Sequence, residues 1–288
     1  MATLREIRTR ISTVRSTQQI TKAMKMVAAA KLRKAQEKII ATRPYAMKLQ
    51  EVAAHLVSRM ESIQNPYTVE RPVEKLLLVV VTADRGLCGA FNASLIREAE
   101  QKVASYKEVE VSLYPVGRKG YEHFVRRDFN IFAHKINLFN SLSFSDAADL
   151  VSACSQAYLN FQFDRIEILY NEFKSAIRQD IRTEQLLPIV KFEEEKAVSS
   201  KIDYLYEPSK EEILKIIIPK QLNIQMWKVL LESNAAEQGA RMTAMESATE
   251  NAEEMIETLT LHYNRARQSA ITKEISEIVG GAEALKED

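Results

Sequence analysis

The chain has 288 residues, enough for one large domain or two smaller ones, and its 46% hydrophobic content excludes a wholly disordered protein. The net charge of +1 hides an asymmetry. Residues 1–48 carry twelve basic and two acidic side chains, whereas residues 210–288 carry nine basic and fourteen acidic ones. Ends of opposite charge predict that the two ends meet each other, or that each meets a charged partner.

Several classes of protein are disfavoured by simple patterns. The longest strongly apolar run, Leu76 to Val81, is far shorter than the ~20 residues that span a bilayer, so we expect no membrane insertion. The N-terminus lacks the apolar core of a signal peptide. Cys88 and Cys154 make no disulfide framework and are expected to be buried thiols. The four histidines show no metal-binding spacing, and we expect no metal and no cofactor.

The first element predicted is a long helix over residues 3–60. Thr3 and Glu6 form a capping box at its start, Pro44 is expected to bend it, and Asn65-Pro66 ends it. Its apolar residues recur every three or four positions, which is typical of a coiled-coil seam. The predicted seam consists of Leu4, Ile7, Ile11, Val14, Ile20, Met24, Val27, Leu32, Ala35 and Ile39.

The middle of the chain alternates between strand and helix patterns and predicts a Rossmann-like α/β domain over residues 74–194. The predicted strands and helices are, in order, a strand at 75–83, a helix at 92–106, a strand at 109–117, a helix at 118–127, one uncertain strand, a helix at 143–159, a strand at 163–173 and an antiparallel edge strand at 181–192. Residues 195–208 would connect this domain to the second arm.

A second long helix is predicted over residues 222–284, after a capping box at Ser209 and Glu212. Pro219 should cause an offset or kink, and Gly280-Gly281 would normally stop the helix. We therefore predict a mixed α/β protein, in which residues 1–65 and 209–288 form a long antiparallel coiled coil around the inserted domain.

Three classes of function are consistent with these patterns. The first class is a nucleotide-using α/β enzyme, because the loop TADRGLCGAFN lies where phosphate loops sit. The loop lacks both common phosphate-binding signatures, so we expect Gly86 and Gly89 to turn the chain and Cys88 to be structural.

The second class is a nucleic-acid-binding protein, because the first helix is basic. Its lysines, however, surround the helix instead of forming one face. The third class is a coiled-coil protein, either a plain solvated coiled coil or one whose surface meets changing contacts. Met24, Met26 and Val27 cannot all face one partner helix, which favours an adaptable surface.

The terminal segment ITKEISEIVGGAEAL carries an apolar stripe on what should be a fraying end. Its apolar residues are Ile271, Ile275, Ile278 and Val279. So much apolar surface at a terminus predicts that a partner encloses it.

Three blocks of sequence carry a resemblance to a known family: ITKAMKMVAAAKLRKAQ at 20–36, EQGARMTAMESATENAEEMI at 237–256 and YNRARQSAITKEISEIVGGAEAL at 263–285. TADRGLCGAFN and DYLYEP at 203–208 add to it. The chain closely resembles the gamma subunits of bacterial rotary ATP synthases. The resemblance implies a central stalk that turns inside a ring of alpha and beta subunits, with the α/β domain at the membrane-proximal foot.

The resemblance also implies which residues contact partners, and it assigns no catalytic, cofactor-binding or metal-binding residue. Lys22, Met24, Lys25 and Arg241 match positions facing a beta-subunit loop. Arg267, Gln268, Thr272 and Glu274 match the upper contact zone inside the hexamer. Tyr204, Tyr206 and Glu207 match the foot, which meets the epsilon subunit and the c-ring of the membrane sector.

The implied function is that of a non-catalytic rotor, which couples hydrogen ion transport through the membrane ring to ATP synthesis in the alpha/beta hexamer. The implied location is peripheral, on the cytoplasmic side of the bacterial plasma membrane. Nucleic acid is not among the implied partners.

Overall fold

A computed structural model describes residues 3–58, 66–69, 71–189 and 210–284. It has the predicted mixed α/β class, with long N- and C-terminal helices and a central four-stranded mixed sheet. The helices are α1 (Leu4–Ser58), α2 (Phe91–Ser105), α3 (Arg118–Val125), α4 (Phe144–Leu159) and α5 (Lys210–Ala284), the strands are β1 (Lys75–Val81), β2 (Glu110–Val116), β3 (Arg165–Phe173) and β4 (Gln179–Leu187), and short 3-10 turns occur at Pro66–Thr68 and Leu138–Asn140.

Helix α1 begins at the predicted capping box. The Thr3 amide donates to Glu6 Oε2 at 2.8 Å, and the Glu6 amide donates to Thr3 Oγ1 at 3.3 Å. These reciprocal bonds satisfy two amides that a helix start leaves without partners. Pro44 lies inside the helix and does not end it.

The observed seam of α1 differs from the predicted one toward the N-terminus of the helix. The buried residues Ala28, Leu32, Ala35 and Ile39 follow a spacing of four, three and four, as a coiled-coil seam requires. Continued toward the N-terminus, this spacing reaches Thr21, which is buried. The predicted seam residues Ile20 and Val27 are instead exposed, because seam position follows helix geometry and not the most apolar neighbour.

The sheet has the strand order β2-β1-β3-β4. Strand β1 runs parallel to β2 and β3, and β4 is the predicted antiparallel edge strand. Every residue from Leu76 to Val81 is fully buried, as expected for a strand covered on both faces. The segment expected to hold an uncertain strand forms only two isolated bridges, Leu113 with Ile131 and Val116 with Lys135.

Helix α5 begins earlier than predicted, at Lys210, and ends at the predicted residue, Ala284. It continues through Pro219 without a break and runs past Gly280-Gly281 to Ala284. The predicted capping box at Ser209 falls outside the described residues. Six of the seven residues from Met226 to Glu232 are buried or half-buried, the exception being Lys228, and a helix apolar on most sides belongs inside a core.

The chain divides into two compact units. Residues 1–27 and 242–288 form one, here called the helical unit, and residues 28–241 form the other, the α/β unit. Helices α1 and α5 run antiparallel in each. In the α/β unit, Trp227 Nε1 donates to Thr42 Oγ1 at 3.3 Å.

Candidate functional site

The C-terminal part of α5 carries four of the predicted contact residues, Arg267, Gln268, Thr272 and Glu274, and all four are exposed. Thr272 Oγ1 donates to the Gln268 carbonyl at 2.9 Å, which fixes the hydroxyl on its own helix. Every residue from 271 to 279 is exposed. The apolar stripe predicted there is between 47% and 71% exposed, an amount of unburied apolar surface that marks an interaction site.

The second group of predicted contacts lies on α1 in the helical unit. Lys22 is exposed, Met24 is half-buried and Met26 is 62% exposed. Lys25 is different, because its ammonium forms an ion pair with Glu246 of α5. Lys22 and the methionines therefore provide the outward surface here, whereas Lys25 is engaged within the chain.

Arg241 directs its guanidinium into its own chain. Its Nη1 donates to Glu237 Oε1 at 2.6 Å, and Nη2 donates to the carbonyls of Arg85 and Gly86 at 3.3 and 3.2 Å. Burial raises the pKa of Glu237, and the charge of Arg241 opposes that shift. Only 9% of Arg241 is exposed, so its main contacts are with the loop that follows β1.

That loop is organised around the buried carboxylate of Asp84. Oδ1 accepts hydrogen bonds from the amides of Arg118 and Asn137 at 3.1 and 2.7 Å, and Oδ2 accepts one from the Phe139 amide at 3.2 Å. Arg118 is the first residue of α3, where a phosphate would otherwise find amide donors. The loop thus uses these donors for its own carboxylate, in line with the structural role predicted for it.

Two loop residues have left-handed backbone conformations, Leu87 with φ +61° and Gly89 with φ +58°. Leu87 is a non-glycine residue in this region, which is uncommon, and it is 66% exposed. Gly86 has no such requirement, since an added Cβ would meet only Lys119 Cε at 4.0 Å. Only the turn predicted at Gly89 therefore needs glycine for its backbone.

Cys88 belongs to this loop and is buried, as predicted for a structural thiol. Asn92 Nδ2 donates to its Sγ at 3.2 Å, and burial raises its thiol pKa, which disfavours the reactive thiolate. Its cluster includes Ala83, Phe91 and Ala236. Ala236 of α5 thus packs against the buried side of the loop, whereas Leu87 is exposed on the other side.

Tyr204, Tyr206 and Glu207, the predicted foot contacts, lie outside the described residues. None of the helices in the described ranges contains an apolar stretch of the length and hydropathy that a membrane span needs. The same ranges hold no group of three or more histidine, cysteine, aspartate or glutamate side chains arranged to bind a metal ion.

Sequence reasoning missed the chain's own partners of the basic residues. Glu246 and Thr249 of α5 contact Lys25 and Thr21 of α1 through the antiparallel arrangement of the two helices. Glu237 contacts Arg241 four residues later on α5 itself. Pairing the two helices by register would have found Glu246, because a single alignment places it beside Lys25. No sequence signal distinguishes Leu87, since its conformation is set by the loop around it.

Comparison with known proteins gives one consistent family. The family model described as ATP synthase matches residues 3–285. An ATP synthase gamma chain of Chlorobium phaeobacteroides strain BS1 is 50% identical over 294 residues, covering 99% of both chains. A gamma chain of Cytophaga hutchinsonii is 51% identical over 294 residues, again covering 99% of both. A chain in the central stalk and c-ring structure of Tetrahymena thermophila mitochondrial ATP synthase is 29% identical with a TM-score of 0.61, covering 80% of this chain and 99% of that one.

Proposed function

Since this chain belongs to the ATP synthase family, among chains named gamma, we infer that it is the non-catalytic central rotor of a proton-translocating ATP synthase. It would couple rotation of the membrane c-ring to ATP synthesis in the hexamer of alpha and beta subunits. The epsilon subunit would be a further partner. Identity of about half over the whole length to chains of that name is the basis of this proposal.

One structural observation supports it most directly, the exposure of the whole segment from 271 to 279. Four large apolar side chains on a terminal helix need a covering surface, and the inside of a subunit ring supplies one. Burying even half of them would favour assembly by roughly 3 kcal/mol or more. Arg267, Gln268, Thr272 and Glu274 would then be the polar contacts that distinguish one rotor angle from another.

The surface around Met24 fits a rotor that meets successive partners. Lys22, Met24 and Met26 place positive charge and flexible apolar groups on different sides of α1. A rotor couples to its ring only if each angle changes the relative energies of the ring's conformations by differential contact. Arg241 would act there through the loop it holds, with Leu87 as the exposed contact, and Lys25 would act through its pairing with Glu246.

The proposed rotor has two structural parts, a shaft and a foot, joined by a connector. Residues 1–65 and 209–288 would be the shaft, residues 74–194 the globular foot, and residues 195–208 the connector. Tyr204, Tyr206 and Glu207 would lie where the foot meets epsilon and the c-ring. ATP chemistry would belong to the beta subunits, so this chain would need no cofactor of its own.

The chain would be part of a membrane-bound complex without inserting into the membrane itself. We place it peripherally on the cytoplasmic side of the bacterial plasma membrane, which is where the resemblance puts its family.

The function is tested by co-expressing the tagged chain with alpha and beta subunits from the same source. The expected result is a complex that hydrolyses ATP, whereas the purified chain alone hydrolyses none. A matched control replaces Ile275 and Ile278 together by Asp, which should reduce recovery of the complex. Turnover by the chain alone, after beta subunit has been excluded by mass spectrometry, would overturn the proposal.

A further inference from the structure

We propose that Thr21, Thr249, Lys25 and Glu246 form a polar register lock, which fixes the alignment of α1 and α5 in the helical unit. The proposal concerns the chain itself and does not depend on the proposed function. It assigns a positioning role to Lys25, in place of the direct partner contact that the sequence suggested.

The centre of the lock is a pair of threonine hydroxyls. Thr21 Oγ1 and Thr249 Oγ1 are 2.7 Å apart, and Thr21 is buried. Each hydroxyl also has a carbonyl of its own helix within reach, Gln18 for Thr21 at 3.0 Å and Met245 for Thr249 at 2.7 Å. Whichever hydroxyl donates across the helices, the other proton has an acceptor, so both are satisfied in the native alignment.

The second element is the ion pair one turn away. Lys25 follows Thr21 by four residues and Glu246 precedes Thr249 by three, as antiparallel neighbours should. The two side chains are 38% and 43% exposed, so the pair is partly shielded from water. Exposed ion pairs add little to the free energy of folding. We therefore assign the pair of Lys25 and Glu246 a role in helix alignment and not in overall stability.

Apolar packing in the helical unit cannot set the alignment alone. Among the side chains described in this unit, only Thr21, Met245 and Ala252 are buried. Near the N-terminus the helices leave a groove of about 540 Å³, lined in part by Val14 and Met255. The apolar seam residues Ile7, Ile11, Val14 and Ile256 are only half-buried. A slide of one helix by a heptad places seam positions opposite seam positions again, so it loses little apolar burial.

The polar pairs distinguish the native alignment from such a slide. A shift of seven residues in one direction puts Ile256 opposite Thr21, although it offers Lys25 another carboxylate at Glu253. A shift in the other direction puts Met242 opposite Thr21. Both break the hydroxyl pair, so Thr21 and Thr249 are the discriminating element. A polar pair at a seam position sets register in coiled coils in the same way.

The test is disulfide cross-linking in the full-length chain, repeated in the complex with alpha and beta subunits. Val14→Cys with Met255→Cys reports the native alignment, because both residues line the same groove. Val14→Cys with Ala248→Cys, or with His262→Cys, reports a slide of seven residues in either direction. The chain without added cysteines is the blank, since Cys88 and Cys154 are buried.

Each reporter pair is placed in the parent chain, in Thr21→Val/Thr249→Val, and in Thr21→Ser/Thr249→Ser. The valine variant keeps the shape and removes both hydroxyls, and the serine variant keeps them. We expect the slipped cross-links, relative to the native one, to rise roughly tenfold in the valine variant and to stay at the parent level in the serine variant. An unchanged ratio in the valine variant would overturn the proposal. A loss of helicity by circular dichroism without slipped products would also overturn it, because the layer would then serve stability only.

The ion pair is tested by charge exchange in the same assay. Lys25→Glu places two carboxylates together and should increase the slipped products, and Lys25→Glu/Glu246→Lys should return them to the parent level. If the single variant behaves like the parent, or the exchange does not restore the native ratio, Lys25 has no part in alignment.

Discussion

Arg241 and Glu237 form a buried ion pair one turn apart on α5, with Nη1 and Oε1 separated by 2.6 Å. The side chains are 11% and 6% exposed. Because Nη2 of the same guanidinium also holds the carbonyls of Arg85 and Gly86, the pair connects α5 to the loop that displays Leu87. Arg241 thereby fixes the conformation of the loop that exposes Leu87, although the Arg241 side chain itself is buried.

Replacing Arg241 by Gln should release this loop. A buried carboxylate that loses its partner costs about 3–5 kcal/mol, so the free energy of unfolding should fall by an amount of that order. Cys88, the buried thiol of this loop, should become reactive toward a thiol reagent in the folded chain. Arg267→Gln, at an exposed position, is the matched control and should change neither quantity. Protection of Cys88 in Arg241→Gln equal to that in the parent would contradict the role assigned to the pair.

The fold was largely predictable because its periodic signals are strong. The apolar run of β1, the capping box of α1 and the alternation of strands and helices each follow from local sequence. The predicted start of α5 after Pro219 was too late, since a helix breaker acts locally whereas α5 is stabilised by packing along much of its length. The predicted end at residue 284, beyond Gly280-Gly281, agrees with the structure. The N-terminal part of the α1 seam was also predicted wrongly. Thr21 is polar, yet it is buried and forms a hydrogen bond with Thr249, which lies 228 residues away in the sequence.

Tyr170 should make the chain sensitive to alkali. Its hydroxyl donates to Glu184 Oε1 at 2.6 Å and lies 3.4 Å from Glu232 Oε2. Burial, and then the Glu184 carboxylate, raise the Tyr170 pKa above its usual value. The unfolded chain therefore loses this proton above about pH 10 while the folded chain keeps it, so stability falls as pH rises by ~1.4 kcal/mol per pH unit from this group.

The measurement is urea unfolding from pH 8 to 11.5 for the parent and Tyr170→Phe. The variant should be less stable at pH 8, because Glu184 loses a donor, and its stability should fall less steeply above pH 10. Tyr45→Phe is the control, since Tyr45 is exposed on α1. Equal alkaline slopes for the parent and Tyr170→Phe would exclude Tyr170 as the source.

Met24→Lys should impair coupling more than assembly. The new ammonium can compete with Lys25 for Glu246, or bind a carboxylate of the surrounding ring. A charge-assisted bond of about 1.5–3 kcal/mol would favour one rotor angle over the others. ATP hydrolysis should persist in the complex while ATP-driven proton pumping falls. Met26→Lys adds the same charge at a 62% exposed neighbour and should have the smaller effect. Equal loss of hydrolysis and pumping, at normal complex yield, would count against this account.

The exposed tail should contribute to assembly through its apolar stripe. Ile275→Asp/Ile278→Asp places two charges where an apolar wall is expected, so complex yield and proton pumping should both drop sharply. Deleting residues 279–288 should weaken assembly only moderately. Ile177→Asp is the matched control, because Ile177 is 84% exposed in the α/β unit, and hexamer assembly should be unaffected. Parent-like yield and pumping in the double variant would mean that the tail is not enclosed.

The candidate site was predictable only as far as the resemblance and the exposed stripe reach. The predicted contact residues Lys22, Arg267, Gln268, Thr272 and Glu274 are exposed, as a contact surface requires, and Met24 is half-buried. The role of Lys25 was not predictable from local sequence, because it depends on a carboxylate placed by the pairing of the long helices. The spacing of four residues between Glu237 and Arg241 is a local signal, whereas the contacts of Arg241 with the carbonyls of Arg85 and Gly86 depend on the fold. Leu87 depends on the fold of its loop.

The central claim is that this chain turns inside the ring and transmits torque, and observing rotation tests it most directly. A cysteine at the exposed Glu108, at the turn between α2 and β2, carries a probe on the α/β unit while the alpha and beta subunits are fixed to a surface. The account predicts unidirectional rotation of the probe that requires ATP and stops when ATP is removed. Sustained ATP hydrolysis by the same immobilised complexes, with the probe bound but stationary relative to the ring, would contradict it.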